Sequence, residues 1–354
     1  MKKKLLSLIL ATAMVGSFVS GCGASSQESE ADNTTENNTT GDISSDSAEQ
    51  EEFMEPGTVI RVGAMSGPTA MGMVKLMEDF ENGETGNMYE FSELATDASA
   101  LVAPLTAGEL DIAAIPSNLA ATLYNNTDGA IQVVATCNLG VLNVVERGES
   151  VETFADLAGK TVYATGQGAV PEYTIRYLLS ENGVDPDSDV TIQWCSDTTE
   201  ALSYINADES AIAILPQPFV TAACAQVEDL RVAIDLNDEW DKLDNGCNII
   251  TGVVVARSEF IEQYPQQFSM FLSEYENSVA YTQEDVEGTA VLIEKYGIVA
   301  KAAIAQKALP GCHLTALTGS ELQTALNGFL QVLYDQNPAA VGGSMPDEGF
   351  YYEN

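Results

Sequence analysis

One stretch in the middle of the chain, residues 156–192, constrains the fold more than any other. It combines a short apolar strand over 161–164, a glycine-rich turn, a helix from Pro171 to about residue 182 and a second strand over 190–194. Proline suits the first turn of a helix because it has no N–H group to satisfy, and glycine suits the position after the last turn because it tolerates a positive φ. The stretch therefore predicts one βαβ unit of an open α/β sheet.

The turn between the first strand and the helix is a candidate ligand cradle. A helix start leaves free backbone N–H groups at the carboxyl edge of the sheet, where small or anionic ligands bind in open α/β folds. The candidate binding residues in this turn are Thr165, Gly166, Gln167 and Gly168. The alternative is an ordinary βαβ unit whose glycines only make the turn tight, since the turn lacks the G-x-G-x-x-G fingerprint of dinucleotide-binding folds.

The chain is strongly acidic, with 14 Lys+Arg against 53 Asp+Glu and a formal net charge of −39. Such a chain is repelled by phosphate backbones and by anionic lipid surfaces, so we do not expect nucleic acid as a partner. Hydrophobic residues make up 45% of the sequence, which is ordinary for a globular protein, so the acidity belongs to the surface around a real core. A length of 354 residues leaves room for about two domains.

The amino terminus has the pattern of an export signal. Residues 1–21 place a basic start before an apolar run that is too short for a comfortable membrane span. The order of apolar residues, small residues, Gly21 and Cys22 resembles the lipobox of bacterial lipoproteins, which implies cleavage before Cys22 and lipid attached to its sulfur. A plain signal peptide with an incidental cysteine is the alternative. We expect an exported protein, lipid-anchored to the outer face of the bacterial cytoplasmic membrane or facing the periplasm.

Residues 22–57 are rich in Ser, Asn, Thr, Asp and Glu and contain almost no apolar side chains. A segment of this composition cannot bury enough surface to offset the entropy of the chain, so we expect a disordered acidic tether. An anchor followed by a tether predicts a soluble body held at a membrane surface.

The rest of the chain repeats the alternation of strand and helix in two sets. Four apolar strands between residues 59 and 136 alternate with helices, and the pattern begins again after residue 141. Continuous runs of Val, Ile and Ala between helices indicate parallel sheets covered on both faces. After an apolar strand over 249–256 the chain is helical, so it must return to pack on existing sheet.

These patterns predict an α/β protein with two lobes, each a mainly parallel sheet covered by helices. Residues 58–140 together with 249–354 form the first lobe, and residues 141–248 form the second. The two crossovers, near 138–142 and 246–251, enclose a cleft and are expected to act as a hinge.

Four stretches resemble one protein family in their order along the chain. They are GELDIAAIPSNLAATLYN (108–125), the βαβ unit at 156–192, AILPQPFVTAA (213–223) and NPAAVGGSMPDEGFYY (337–352). They look like the substrate-binding lipoproteins of ABC importers, in the NMT1/THI5-like branch associated with nitrate, sulfonates, taurine and thiamine-pyrimidine precursors. The resemblance, which covers about residue 58 to the end, implies a type II periplasmic-binding-protein-like fold that closes on a small solute and docks on an ABC permease.

Candidate ligand-binding residues lie where strands end and helices begin on the side of the expected cleft. They offer hydroxyls, amides and free N–H groups without formal charge, and their alternative role is helix capping or turn formation. No arginine is placed as a clamp for an anion, because Arg176 is expected to pair with Glu172 one turn earlier. The solute could be a small oxoanion or sulfonate held by helix N-termini, or a neutral heteroaromatic that stacks on Trp194. The predicted set is Ser66, Gly67, Thr69, Ser117, Asn118, Asn138, Thr165, Gly166, Gln167, Gly168 and Gln217.

Constellations for catalysis or metal binding are mostly missing. His313 is the single histidine, so we expect neither a histidine-based metal site nor a Ser-His-Asp triad, and no cofactor. Cys312 beside it could suggest a nucleophile and its base, but neighbours in sequence seldom face each other. Cys224 and Cys247 could form a disulfide, with buried free thiols as the alternative. The cysteines after Cys22 are Cys137, Cys195, Cys224, Cys247 and Cys312.

We therefore expect a solute receptor that serves an ABC importer. An enzyme on the same fold, of the pyrimidine-synthesis or menaquinone-pathway type, is the first alternative, since fold does not fix function. Such enzymes are cytoplasmic, whereas this chain carries an export signal. A sensor or adhesion lipoprotein without an importer is the second alternative, and no feature of the sequence excludes it.

Overall fold

The computed structural model describes residues 58–353. The predictions on the export signal (1–21), on Cys22 and on the tether (22–57) lie outside the described residues. Within the described range, no helix combines the length and the apolar character that crossing a membrane requires.

The strands of this part of the chain assemble into two sheets of five strands each. Continuous buried runs such as IAAIP at Ile112–Pro116 explain why these segments are strands, since both of their faces are covered. The strands are β1 (Val59–Ala64), β2 (Met88–Phe91), β3 (Ile112–Pro116), β4 (Ile131–Asn138), β5 (Leu142–Glu146), β6 (Thr161–Ala164), β7 (Thr191–Trp194), β8 (Ile212–Pro216), β9 (Arg231–Asp235) and β10 (Gly252–Arg257).

The two sheets have the same topology. The first has the order β2-β1-β3-β10-β4 and the second the order β7-β6-β8-β5-β9. In the first sheet β1 pairs in parallel with β2 and β3, while β10 is antiparallel to β3 and β4. In the second sheet β6 pairs in parallel with β7 and β8, while β5 is antiparallel to β8 and β9. In each sheet, the antiparallel strand is thus the first strand after the chain crosses over from the other sheet: β5 follows β4, and β10 follows β9.

This arrangement confirms the predicted two-lobed α/β fold, with sheets that are mixed and mainly parallel. The lobe bounds given above stay a prediction. Two short helices that the sequence did not suggest are α8 and α12. The helices are α1 (Pro68–Met71), α2 (Val74–Asn82), α3 (Ser99–Thr106), α4 (Ser117–Asn126), α5 (Val170–Glu181), α6 (Thr198–Ala207), α7 (Phe219–Cys224), α8 (Leu236–Asp241), α9 (Ser258–Gln263), α10 (Pro265–Glu284), α11 (Val286–Lys295), α12 (Ala302–Ala308) and α13 (Gly319–Gln336), with short 3-10 helices at Phe154–Leu157, Leu309–Cys312, Pro338–Val341 and Glu348–Phe350.

The long helix α13 packs on both lobes. Phe329 of α13 meets Trp240 of α8 with ring centroids 5.6 Å apart, and the indole N–H of Trp240 donates to the carbonyl of Cys247 at 2.8 Å. At its end, the Gln336 side chain donates to the carbonyl of Tyr173 in α5 at 3.1 Å. One buried apolar cluster therefore runs from the first sheet through α13 to the second lobe.

The predicted ion pair between Arg176 and Glu172 is wrong. Arg176 donates to Asp187 at 2.6 Å, while the carboxylate of Glu172 accepts from the backbone N–H of Gly168 at 2.7 Å. The loop that follows α5 brings an acidic side chain to the guanidinium, and Glu172 instead caps the start of its own helix.

The possible disulfide is not present. All five cysteines of the described range are free thiols, so Cys224 and Cys247 are not joined. Cys224 packs in the apolar cluster around β8 and α7, whereas Cys247 packs against the cluster that contains α13.

Candidate ligand-binding site

A cavity of about 460 Å³ lies between the two sheets. It is bounded by the turn after β1, the end of β4, the turn after β6 and the turn after β8, with one wall from the segment around α12. Open α/β sheets bind ligands at this place, outside the carboxyl ends of parallel strands. The volume falls in the range of about 300–1,000 Å³ that small-molecule sites occupy.

The cavity brings together part of the predicted set. From the first lobe come residues of the turn after β1 and the last residue of β4, and from the second lobe come residues of the turns after β6 and β8. The predicted residues that line it are Ser66, Gly67, Thr69, Asn138, Thr165 and Gln217.

The other predicted residues do not line this cavity, and the contacts of Ser117 show why for that residue. The hydroxyl of Ser117 is fully buried and donates to the carbonyl of Ile250 at 2.6 Å, so it ties α4 to the second crossover. The carbonyl of Asn118 accepts from the hydroxyl of Thr122 at 2.9 Å within α4. The residues outside the lining are Ser117, Asn118, Gly166, Gln167 and Gly168.

The glycines after β6 are explained by the shape of the turn itself. Gly166 has a φ of +85°, and a Cβ placed there would lie 2.6 Å from Cγ of Pro171. Gly166 is one of the predicted binding residues, and in the structure it lies against Pro171 and does not line the cavity. The N–H of Gly168 is already bonded to Glu172, and the side chain of Gln167 is exposed. A larger residue at Gly166 would therefore strain the turn itself.

Most of the lining that sequence reasoning missed is apolar. These residues come from strand ends, from buried helix faces and from the segment around α12, and a helical or strand pattern does not show which of them reach a cavity. Within the described residues, no Asp, Glu, Lys, Arg or His lines it. Pro216 and Pro218, which flank Gln217 in the turn after β8, were also expected at the cleft from the sequence, and both line the cavity. The other additional lining residues are Met65, Pro68, Gly140, Val141, Leu142, Val170, Pro171, Thr174, Thr198, Phe219, Ala222, Ile249, Thr251, Ile298, Val299 and Ile304.

Asn138 provides a hydrogen-bond acceptor without a partner. Its side chain is fully buried, and its Nδ2 donates to the carbonyl of Leu139 at 2.8 Å, which fixes the orientation of the amide. Its Oδ1 has no hydrogen-bond partner. Gly252 of β10 lies opposite, and a Cβ there would come 2.6 Å from Oδ1. The neighbouring strand thus leaves room for an amide oxygen at the cavity wall.

Thr174 provides a second unpartnered group, on α5. The residue is 1% exposed and lines the cavity, and its Oγ1 has no hydrogen-bond partner. A threonine inside a helix can satisfy its hydroxyl with the carbonyl one turn earlier, as Thr122 does in α4. Leaving a buried polar group unpaired costs about 1–3 kcal/mol. Two residues that carry such groups, one from each lobe, therefore line the same cavity.

The amide of Gln217 is held by α7, the helix that follows it. Its Oε1 accepts from the hydroxyl of Thr221 at 2.8 Å and from the N–H of Thr221 at 3.2 Å. The backbone N–H of Gln217 donates to the carbonyl of Val141 at 2.8 Å, which links the turn after β8 to the first crossover. This residue thus joins the cavity wall to the segment that connects the lobes.

The remaining chemical candidates lie elsewhere. Burial raises the pKa of the Cys312 thiol to about 12, so it stays protonated. Nδ1 of His313 lies 2.9 Å from the carbonyl of Gly140 and faces the first crossover, so the two neighbours do not form a nucleophile and its base. Trp194, considered for stacking on a ring, packs against the apolar core outside the cavity lining.

Comparisons with known proteins agree with this architecture. A solved structure described as an ABC transporter from Parabacteroides distasonis matches with a TM-score of 0.69 and 26% identity, over 84% of this chain and 99% of that one. The periplasmic aliphatic sulphonate binding protein SsuA from Escherichia coli matches with a TM-score of 0.66 and 15% identity, over 83% and 92%. A sulfonate-binding protein described as putative, from Methylobacillus flagellatus, matches with a TM-score of 0.63 and 14% identity, over 84% and 92%.

These likenesses confirm the predicted periplasmic-binding-protein-like fold. No curated protein matches the chain. The sequence model of the family described as NMT1/THI5 like matches residues 92–288, which is more than half of the chain. The chain therefore belongs to the NMT1/THI5-like family.

Proposed function

We propose that the protein is an extracytoplasmic solute-binding protein, not an enzyme, that captures a small solute between its lobes and delivers it to the permease of an ABC importer. The observation that carries this proposal is the cavity at the carboxyl edges of both sheets, lined by residues of both lobes. The family and the neighbours described as parts of ABC transporters support it.

Capture of the solute would involve residues of both lobes. A solute in the cavity would touch Thr69 and Asn138 of the first lobe and Thr174 and Gln217 of the second. Binding would favour the conformation in which both walls contact the solute, with the two crossovers as the hinge. The closed form would then be the one that a permease recognises.

The amino-terminal segment completes the proposal. A lipid on Cys22 and a tether over 22–57 would hold the receptor at the outer face of the membrane, close to the permease. The acidic chain, whose formal net charge is −39 over its full length, is repelled by anionic lipid and nucleic acid. Small oxoanions, sulfonates and heteroaromatic compounds are the solutes to test first.

A thermal-unfolding screen of the full chain tests the proposal. The panel contains nitrate, alkyl sulfonates, taurine, hydroxymethylpyrimidine, riboflavin and bicarbonate. A solute at one hundred times its Kd stabilises the folded protein by about 2.7 kcal/mol, so we expect one class to raise the Tm by several degrees. The Ala222→Phe variant, which fills the cavity from α7, should lose this shift.

The control is Ala225→Phe, on the exposed side at the end of the same helix and outside the cavity lining. It should keep the full shift. If the shift persists in Ala222→Phe, the solute binds elsewhere and the proposed site is wrong.

A further inference from the structure

We infer that the solute is an uncharged molecule with an apolar body and at least one hydrogen-bond donor, rather than a sulfonate or another anion. This inference rests on the proposed function, because it assigns the chemical class of the solute in the same cavity. Four observations on the described residues support it.

The first observation is the absence of charge in the lining. None of the described residues that line the cavity is acidic, basic or histidine. An ion that leaves water for such a cavity loses its hydration and gains no opposite charge in return. The lining offers neither a guanidinium or ammonium group to an anion nor a carboxylate to a cation, so a neutral solute fits it best.

The second observation is that the two long helices next to the cavity already carry carboxylates at their starts. The N–H of Gly168, before α5, is bonded to Glu172, and Pro171 in the first turn has no N–H to offer. Before α6, the carboxylate of Glu200 accepts from the N–H of Ser196 at 2.6 Å. A carboxylate therefore already balances the partial positive charge at each of these helix starts, which leaves little attraction for a second anion.

The lowered pKa of Glu200 supports the presence of negative charge at the start of α6. The hydrogen bonds from the backbone and the hydroxyl of Ser196 hold the pKa of Glu200 below its ordinary value, so the group is ionised at neutral pH. Asp197 adds another carboxylate at the same helix start, where it accepts from the N–H of Glu200 at 2.8 Å. The start of α6 thus presents negative charge near Thr198, which lines the cavity.

The third observation is the pair of unpartnered groups, Asn138 Oδ1 and Thr174 Oγ1. An amide oxygen can only accept a hydrogen bond, and the Asn138 amide is fixed by its bond to Leu139. A solute group that reaches Oδ1 would therefore have to be an N–H or an O–H. A sulfonate or nitrate has only acceptor oxygens and would face Oδ1 with like partial charge. The hydroxyl of Thr174 can donate or accept, and it fits a second polar atom of the same solute.

The fourth observation is the apolar remainder of the walls. Phe219 of α7 and Ile304 of α12 contribute to the lining from one side, and Ile249 contributes from the second crossover. Apolar walls favour a solute whose own body is apolar, because its burial removes that surface from water.

Matched compounds test the charge class directly. Isothermal titration of the full chain compares benzenesulfonate with benzenesulfonamide and benzylamine, and hexanesulfonate with hexanesulfonamide and hexylamine. Each series keeps one body and changes the charge, and the sulfonamides add N–H donors. We expect the neutral members to bind at least about tenfold more tightly than the charged ones. Tighter binding of either charged series would overturn the inference.

The Thr174→Val variant tests the site at the level of one atom. Valine keeps the shape of threonine and removes a hydroxyl that has no partner in the protein, so the Tm of the free protein should not fall. The affinity for whichever sulfonamide binds the wild-type protein more tightly should fall about fivefold to tenfold. Thr122→Val, in which the lost hydroxyl is bonded within α4, should leave the affinity unchanged. Unchanged affinity in Thr174→Val would overturn the assignment.

The outcomes separate this inference from the proposed function. Sulfonates that bind the wild-type protein but not Ala222→Phe would overturn the neutral class and leave the solute-receptor function standing. Neutral compounds that bind Ala222→Phe as well as the wild type would overturn both. Binding of no compound, charged or neutral, in either series and in a wider set of heteroaromatic alcohols, amines and amides would also overturn both.

Discussion

At the scale of single residues, Glu146 at the end of β5 is a carboxylate whose side chain is only 3% exposed. It accepts from the N–H groups of Ser150 and Val151 at 3.0 Å and 3.1 Å, and it pairs with the guanidinium of Arg231. Burial acts to raise the pKa of the Glu146 carboxyl, but the hydrogen bonds from Ser150, Val151 and Arg231 outweigh it and lower the pKa. The folded second lobe therefore holds the charged form.

Replacing this carboxylate should destabilise the protein in a pH-dependent way. Glu146→Gln should lower the free energy of unfolding near neutral pH by about 2 kcal/mol, since it leaves Arg231 without its charged partner. Because the folded pKa lies below the unfolded value of about 4.3, this contribution is complete above that value and is lost as the pH falls through the folded pKa. Urea unfolding of both proteins should show the difference narrowing below about pH 4.

The matched control is Glu209→Gln, since Glu209 is 84% exposed in its pair with Arg147. Its effect should stay within about 0.5 kcal/mol. A difference for Glu146→Gln that stays constant well below the unfolded pKa would show that ionisation of this carboxyl is not its source.

At the scale of elements, hydrogen bonds from α8 and from His313 hold the segment between β4 and β5 in place. The N–H of Gly140 donates to Oδ1 of Asn237 in α8 at 3.0 Å, and Nδ2 of Asn237 donates back to the carbonyl of Gly140 at 2.7 Å. The N–H of Leu139 donates to the carbonyl of His313 at 3.0 Å. A Cβ on Gly140 would lie 2.5 Å from Asn237 Oδ1, so a side chain at this position would displace the Asn237 amide.

Gly140→Ala should therefore break the two hydrogen bonds between Gly140 and Asn237. The methyl group displaces the Asn237 side chain and costs two hydrogen bonds, so we expect the free energy of unfolding to fall by about 1–3 kcal/mol. Gly148→Ala is the control, because its Cβ would meet no atom closer than 3.9 Å. Chemical denaturation measures both. Equal stability of the two variants would show that the hydrogen bonds between Gly140 and Asn237 do not contribute to stability.

At the scale of the whole molecule, local patterns predicted the two lobes because buried strands are written as continuous apolar runs. The antiparallel direction of β5 and β10 could not be predicted in this way. Each is an ordinary apolar strand in sequence, and its direction is set by the path of the chain between the lobes. The helix α12 is short and rich in alanine, so its pattern does not distinguish it from a loop.

The candidate site was predictable only in part. Thr165 follows an apolar strand and Asn138 lies near the first crossover, so the path of the chain along the strands identifies both. Thr174 lies inside a helix and reads as a helix residue, and only the tertiary packing shows that its hydroxyl lacks a partner. Ser117 also follows a strand, but its hydroxyl bonds Ile250, which is 133 residues away. Contacts at such separations leave no local signal in the sequence.

The most direct test of the account is a crystal structure of the full chain with the solute that stabilises it most against heat. We predict that the solute lies in the cavity between the two sheets, with an N–H or O–H about 3 Å from Asn138 Oδ1. Its second polar atom should contact Thr174 Oγ1, and its apolar body should pack against Phe219 and Ile304. A solute bound outside this cavity would contradict the central claim that the two lobes capture it between them.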